Sequence, residues 1–280
     1  MKLASFSVGS RASYGAVTDA GIVDLGARLR YADLRALLTA GALDEARRSV
    51  AGAKPDHALK DVTLLPVIPN PDKIVCVGLN YDEHRVETGR DKTEHPAVFL
   101  RLAESQVGHG QPMLCPRESP MFDYEGEIAA IIGRSGRRIP QVRAYDHIAG
   151  YACYNDGSVR DWQRHTVQWT AGKNFARTGA FGPWMTTSDE IPGGALMTLV
   201  TRLNGEEMQR ATTAQMIFKI PRLIEYISTF TPLVPGDVIV TGTPGGVGSR
   251  RNPPVWMKPG DTVEVEIDRV GKLVNTIGIE

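Results

Sequence analysis

The sequence predicts an α+β protein, predominantly β, with a small N-terminal α+β domain over 1–65 and a larger domain over 66–280. Three observations carry this. Glycine and proline number 29 and 18 among 280 residues, about one residue in six against roughly one in eight in average usage, an excess that suits short strands and tight turns. Most apolar residues fall in short runs bounded by turn residues, the signature of strands. Prolines at 55, 66, 69 and 71 mark an extended seam between the two parts, because proline lacks a backbone donor and restricts the residue before it.

Taken in order, residues 3–8 and 14–25 read as strands, the second broken by a turn at Asp19-Ala20-Gly21. Asp33 can cap a short helix bearing Leu34, Leu37 and Leu38, with Gly41 as its stop, and 43–50 forms a second helical piece. After the seam, 74–77 and 97–100 are short apolar strands and 125–132 is a longer one. The strand 199–203 meets Asn204-Gly205, a strong hairpin signal. A further strand covers 237–241, and Val263, Val265 and Ile267 alternate with Glu264 and Glu266, a period of two. Only 159–169 and 220–228 read as helices in this part.

Composition excludes several classes without naming a function. Lys+Arg and Asp+Glu both number 32, a formal net charge of +0, so no bulk electrostatic grip on nucleic acid or anionic membrane is expected. No apolar run approaches the ~18 residues of a membrane span, and the N-terminus does not read as a secretory signal. Cys76, Cys115 and Cys153 are widely spaced and odd in number, which suits reduced thiols and a cytoplasmic location.

Four segments can carry chemistry. In Asp123-Tyr124-Glu125-Gly126-Glu127 two carboxylates open an apolar run. Residues i and i+2 of a strand share a face about 7 Å apart, so the pair is either a solvated strand end or half of a cation site. Asp156, at the Asp-Gly break of 150–158, either caps the helix that follows or adds a third oxygen donor of the kind Mg2+ and Mn2+ take. His84 and Glu87 stand at i and i+3, spacing that lets a carboxylate orient an imidazole as a general base, or simply makes a surface pair. The glycine-rich run 241–248 follows a strand and exposes backbone donors on which an anion can settle.

Together GLNYDEHRVE, DYEGEIA, YNDGSVRDWQ, AGKNFARTGAFGPW, TRLNGE and PGDVIVTGTPGGVG resemble, in order, the fumarylacetoacetate hydrolase family over about residues 73 to 277. The resemblance implies a mixed β-roll or β-sandwich catalytic domain, a homodimer, and Mg2+, with Mn2+ or Ca2+ as substitutes, held by Glu125, Glu127 and Asp156. It implies His84 and Glu87 as the water-activating pair and Lys173 as the cation near the substrate's oxo and carboxylate oxygens. Arg101, Gln163, Thr243 and Tyr81 would contact the substrate. Three departures bear on substrate identity: Asn174 and Ala176 replace a Ser and an Asp common after the Gly-Lys pair, Arg101 replaces a lysine, and Arg85 replaces a small residue common after the histidine. The activity implied is hydrolysis of a carbon–carbon bond in an anionic 2,4-dioxo acid through a pyruvate enolate. Decarboxylation or keto–enol isomerisation of a 2-oxo dicarboxylic acid such as oxaloacetate is the alternative on the same site.

Overall fold

Every residue of the strand Gly126–Ile132 is buried, and its two faces serve two different cores. The computed structural model, which describes residues 1–89 and 91–280, places Ile128, Ala130 and Ile132 among Leu199, Val263 and Leu273 on one side, and Ala129 and Ile131 among Leu34, Leu37 and Val240 on the other. Strict alternation with no polar face is what a strand between two packed layers requires.

The middle layer is an eleven-stranded mixed sheet. Its main path runs Gly21–Asp24, Arg11–Thr18, Lys2–Val8, Gly179–Thr187, Ile148–Asn155, Gly126–Ile132, Val238–Val240, Ile74–Gly78 and Ala97–Arg101. Neighbours on this path are antiparallel except Val238–Val240 beside Ile74–Gly78. A second sheet, ordered Glu206–Thr212, Thr198–Leu203, Thr262–Ile267, Gly271–Ile279 and Met113–Cys115, covers one face. The helices Leu34–Thr39 and Leu43–Val50 cover the other. The fold is therefore mostly β with few helices, as the composition implies.

Ala4, Phe6, Val17, Ile22 and Leu64 form a small cluster of their own before the seam, but packing also crosses it. Lys2 and Leu3 pair with Thr186 and Met185, so the N-terminal strands extend the same sheet. Leu34, Leu37 and Leu38 lie in one apolar cluster with Ile74, Cys76, Ala129 and Val240. Residues 1–65 thus supply an outer layer to the sheet that carries the acidic strand.

Local signals hold at the turns and caps. The Asp33 carboxylate accepts from the Ala36 amide at 2.7 Å, and Gly41 takes φ +64° after the helix. Asn204 and Gly205 have φ +52° and +83°, the left-handed pair that a two-residue hairpin needs. Two expectations fail on tertiary grounds. Residues 159–169 are not one helix: Arg160–Gln163 and Thr170–Lys173 are single turns with an irregular stretch between. Trp169 is drawn aside to pack edge-on to Phe99 at 5.5 Å and against Gly78, where any Cβ would come within 2.2 Å of the indole. The strand Gly179–Thr187 carries no clear signal, because Gly182 and Pro183 interrupt it. A register shift in its partner between Tyr151 and Cys153 absorbs the proline within the sheet.

Candidate active site

The sheet brings Glu125, Glu127 and Asp156 together. Gly126 pairs with Asn155 at the ends of adjacent strands, and the Asp156 amide donates to the Glu125 carbonyl at 2.8 Å. One carboxylate oxygen from each residue lies within 4.8 Å of the others. The side chains belong to residues only 5%, 2% and 0% exposed, so the solvated strand end does not describe them. Asp156 does not cap a helix either, since the next helix begins at Arg160 with Val159 before it. Gly126 is needed where the two sheets meet: a Cβ there would fall 2.0 Å from the Thr201 hydroxyl of the second sheet.

Buried cations stand behind the acids. Lys173 donates to Glu125 and to Asp156, each at 2.7 Å. Arg101 holds the other Asp156 oxygen at 2.5 Å and donates to the Gly157 carbonyl and the Thr178 hydroxyl. Arg160 bridges Asp123 at 2.8 Å and Glu125 at 2.6 Å. Burial raises the Glu125 carboxyl, but Lys173 and Arg160 outweigh it and hold the group below the usual carboxylate range. Among the described residues no cation stands within ion-pair distance of Glu127, and the more distant Lys173 lowers it only in part. Burial, then repulsion from Asp156 and Glu125, pushes it well above that range. Burial alone would lower the Lys173 ammonium, yet Asp156 and Glu125 raise it overall. A divalent cation fits this donor set, because three carboxylates converge and Glu127, unlike its two neighbours, has no ion-pair partner among the described residues to offset its ionised form.

The glycine-rich loop does receive anions, and they are the protein's own carboxylates. Gly242 N–H donates to Glu127 at 2.5 Å, Gly246 N–H to Glu87 at 3.0 Å, and Gly248 and Ser249 N–H to Asp123 at 2.8 and 2.9 Å. Gly242 and Gly246 adopt φ +102° and +96°, a region that disfavours side chains. One loop therefore aims an acid of the triad, the partner of the imidazole and the partner of Arg160. His84 lies on the helix Asp82–Glu87, and its Nδ1 donates to Glu87 at 2.8 Å. That bond fixes the tautomer with Nε2 as the acceptor.

These groups face a cavity of about 310 Å3 whose wall includes His84, Glu125, Glu127, Gln163, Lys173 and Thr243. Gln163 Oε1 accepts from Arg160 at 3.0 Å. Thr243 is engaged on both sides, donating to the Gly126 carbonyl and accepting from Gln209. Arg101 and Tyr81 are elsewhere. The Arg101 side chain has no exposed surface and sits behind Asp156. Tyr81 is buried at the start of the His84 helix, its hydroxyl without a partner among the described residues. Asn174 ties the Lys173 turn to the neighbouring strand through the Leu100 carbonyl and the Leu102 amide. The sequence reading passed over Arg160, whose signal was its place between Asp156 and Gln163, and over Asp123, which opens the acidic motif itself.

The model of the fumarylacetoacetate (FAA) hydrolase C-terminal domain matches residues 73–278. A Bos taurus protein named oxaloacetate tautomerase FAHD2A, mitochondrial, is 40% identical over 237 residues, 84% of this chain and 76% of that one. The solved structure of fumarylacetoacetate hydrolase from Exiguobacterium antarcticum superposes with a TM-score of 0.88 at 32% identity, covering 100% of both chains. Maleylpyruvate hydrolase from Sphingobium sp. SYK-6, solved with manganese(II) and pyruvate, gives 0.81 at 28% identity over 100% of this chain and 99% of that one.

Proposed function

Since the chain belongs to the fumarylacetoacetate hydrolase family, we propose that it is a divalent-metal-dependent enzyme that interconverts the keto and enol forms of a 2-oxo acid, with oxaloacetate as the model substrate. The observation that carries this reading is a carboxylate-oriented imidazole that shares one cavity with Glu125, Glu127 and Lys173, Asp156 completing the acidic triad beside them. Enolisation needs those parts and no others: a base for a carbon-bound proton and a positive field for the charge that moves to oxygen. The name of the Bos taurus relative supports the same choice.

Mg2+ held by Glu125, Glu127 and Asp156, or Mn2+ or Ca2+ in its place, would supply Lewis-acid polarisation of the substrate oxygens. The chain's own residues do the rest. His84 takes a C3 proton on Nε2, while Glu87 holds Nδ1 and offsets the imidazolium charge. The same imidazole returns the proton to the 2-oxygen, so one proton moves from carbon to oxygen and nothing else changes. Lys173 and Arg160 keep Glu125 ionised and add positive potential where the oxygen gains charge.

Hydrolysis of an acylpyruvate is the second reading, favoured by the maleylpyruvate hydrolase neighbour. It would use His84 to activate water for attack on the 4-oxo carbon. Oxaloacetate and acetylpyruvate should be assayed side by side with Mg2+ and with chelator, following enol absorbance and pyruvate release. Chelator-sensitive tautomerisation of oxaloacetate is expected. Cleavage of acetylpyruvate with oxaloacetate tautomerising only at the background rate would replace the first reading with the second.

A further inference from the structure

Two guanidinium groups at the cavity have no part in the chemistry above. Arg164 follows the turn Arg160–Gln163, and Arg250 ends the turn Gly248–Arg250 beyond the glycine loop. Both line the same cavity as Glu125, Glu127 and Lys173. The site's other cations are already matched with acids: Lys173 with Glu125 and Asp156, Arg101 with Asp156, Arg160 with Asp123 and Glu125. Among the described residues, neither the Arg164 nor the Arg250 side chain has a hydrogen-bond or ion-pair partner.

The two arms sense each other. Burial, then repulsion from Arg160 and Arg250, lowers the Arg164 guanidinium. Asp123 and Asp161 attract Arg164 from a distance without pairing with it, so like charges brought from separate elements to one cavity leave a local positive field at its wall. Arg160 adds a donor on the same wall, because its Nη2 is buried without a partner among the described residues. Planar guanidinium donors match carboxylate oxygens, and such charge-assisted bonds are the strong ones.

We infer that Arg164 and Arg250 form a subsite for a second, distal carboxylate and select dicarboxylate 2-oxo acids over monocarboxylate ones. The inference rests on the reading that a 2-oxo acid binds at the acidic triad. It commits the cavity to a dianion that enters with its reactive end towards Lys173 and its far carboxylate between the two arginines.

The Mg2+-loaded protein is to be tested in two ways. Exchange of C3 protons in D2O, followed by NMR, compares oxaloacetate with 2-oxobutyrate, which carries a methyl in place of the distal carboxylate. Calorimetry compares the binding of malate and 2-hydroxybutyrate, which do not enolise. The Arg164→Gln/Arg250→Gln protein should lower kcat/KM for oxaloacetate by about 10- to 100-fold, the worth of one or two hydrogen bonds to a charged group. The loss should lie in KM, and the malate to 2-hydroxybutyrate affinity ratio should fall in step. Both positions are exposed, so the fold is retained. If the wild type turns over oxaloacetate and both ratios survive the double substitution, the subsite is wrong and the enolisation reading stands. If the wild type exchanges neither oxo acid but prefers malate through these arginines, the enolisation reading falls and the subsite stands.

Discussion

Lys173 is 1% exposed and shares one ammonium between Glu125 and Asp156. A lysine beside a cation site would suggest that a substrate anion must lie between them, but here the ligand carboxylates themselves balance its charge. Lys173→Met should therefore do two things. It should reduce kcat/KM by about 2.7–4 kcal/mol, as loss of an oxyanion donor does. It should also destabilise the Mg2+-free protein by about 3–5 kcal/mol, because two buried carboxylates lose their partner. Thermal unfolding with and without Mg2+ checks the second effect, which the ion should partly reverse. His84 touches no triad residue by hydrogen bond, so His84→Ala should slow enolisation by about 10²–10⁴-fold while calorimetric Mg2+ affinity stays the same. Near-normal turnover in that protein would remove His84 from the mechanism.

Among the elements, the glycine loop does the most positioning. Three of its amides fix Glu127, Glu87 and Asp123, and so reach the triad, the base and Arg160 together. Gly246→Ala would force a Cβ to 2.2 Å from the Met208 carbonyl at a φ that disfavours it. The Gly246 amide should then leave Glu87 and let the imidazole turn. A displacement of that kind is expected to cost up to about 10²-fold in kcat. Mg2+ affinity should change far less, since Glu127 is held by Gly242. Parallel loss of Mg2+ binding and turnover would show that the loop acts as one unit rather than residue by residue.

At the scale of the molecule, protonation and cation binding are linked. Glu127 is raised in the ion-free fold, so the folded protein holds a proton that the unfolded chain has lost. Stability of the Mg2+-free protein should fall as pH rises above the ordinary carboxylate range towards the raised value. A divalent cation replaces that proton, so its affinity and its effect on Tm should both grow with pH. Tm measured across pH 5–8 (a window of roughly the range where stability usually peaks) with Mg2+ and with chelator tests the sign. A cation effect on Tm that shrinks as pH rises would contradict it. Truncation addresses the outer layer: a chain of 66–280 would expose the core face against which Leu34, Leu37 and Leu38 pack. Failure to fold is expected, and a soluble, active 66–280 fragment would show that the seam bounds an autonomous domain.

What was legible in the sequence was what lies close along the chain. Glu125 and Glu127 at a spacing of two, His84 and Glu87 at a spacing of three, Asp33 before its helix and Asn204-Gly205 between its strands each declare a local geometry that the structure has. The predominantly β class followed from the same periodicities, and Asp156 and Lys173 were placed at the site by motif order. Tertiary structure decided which donors met which acids. It sent Arg101 behind Asp156, turned the loop's amides inward to three carboxylates, broke the helix at 164–169 to seat Trp169, and set Gly179–Thr187 in the middle of a sheet despite its proline. The physical reason is that backbone periodicity is a property of neighbouring residues, whereas a buried charge is satisfied only by whatever partner the fold brings within about 3 Å of it.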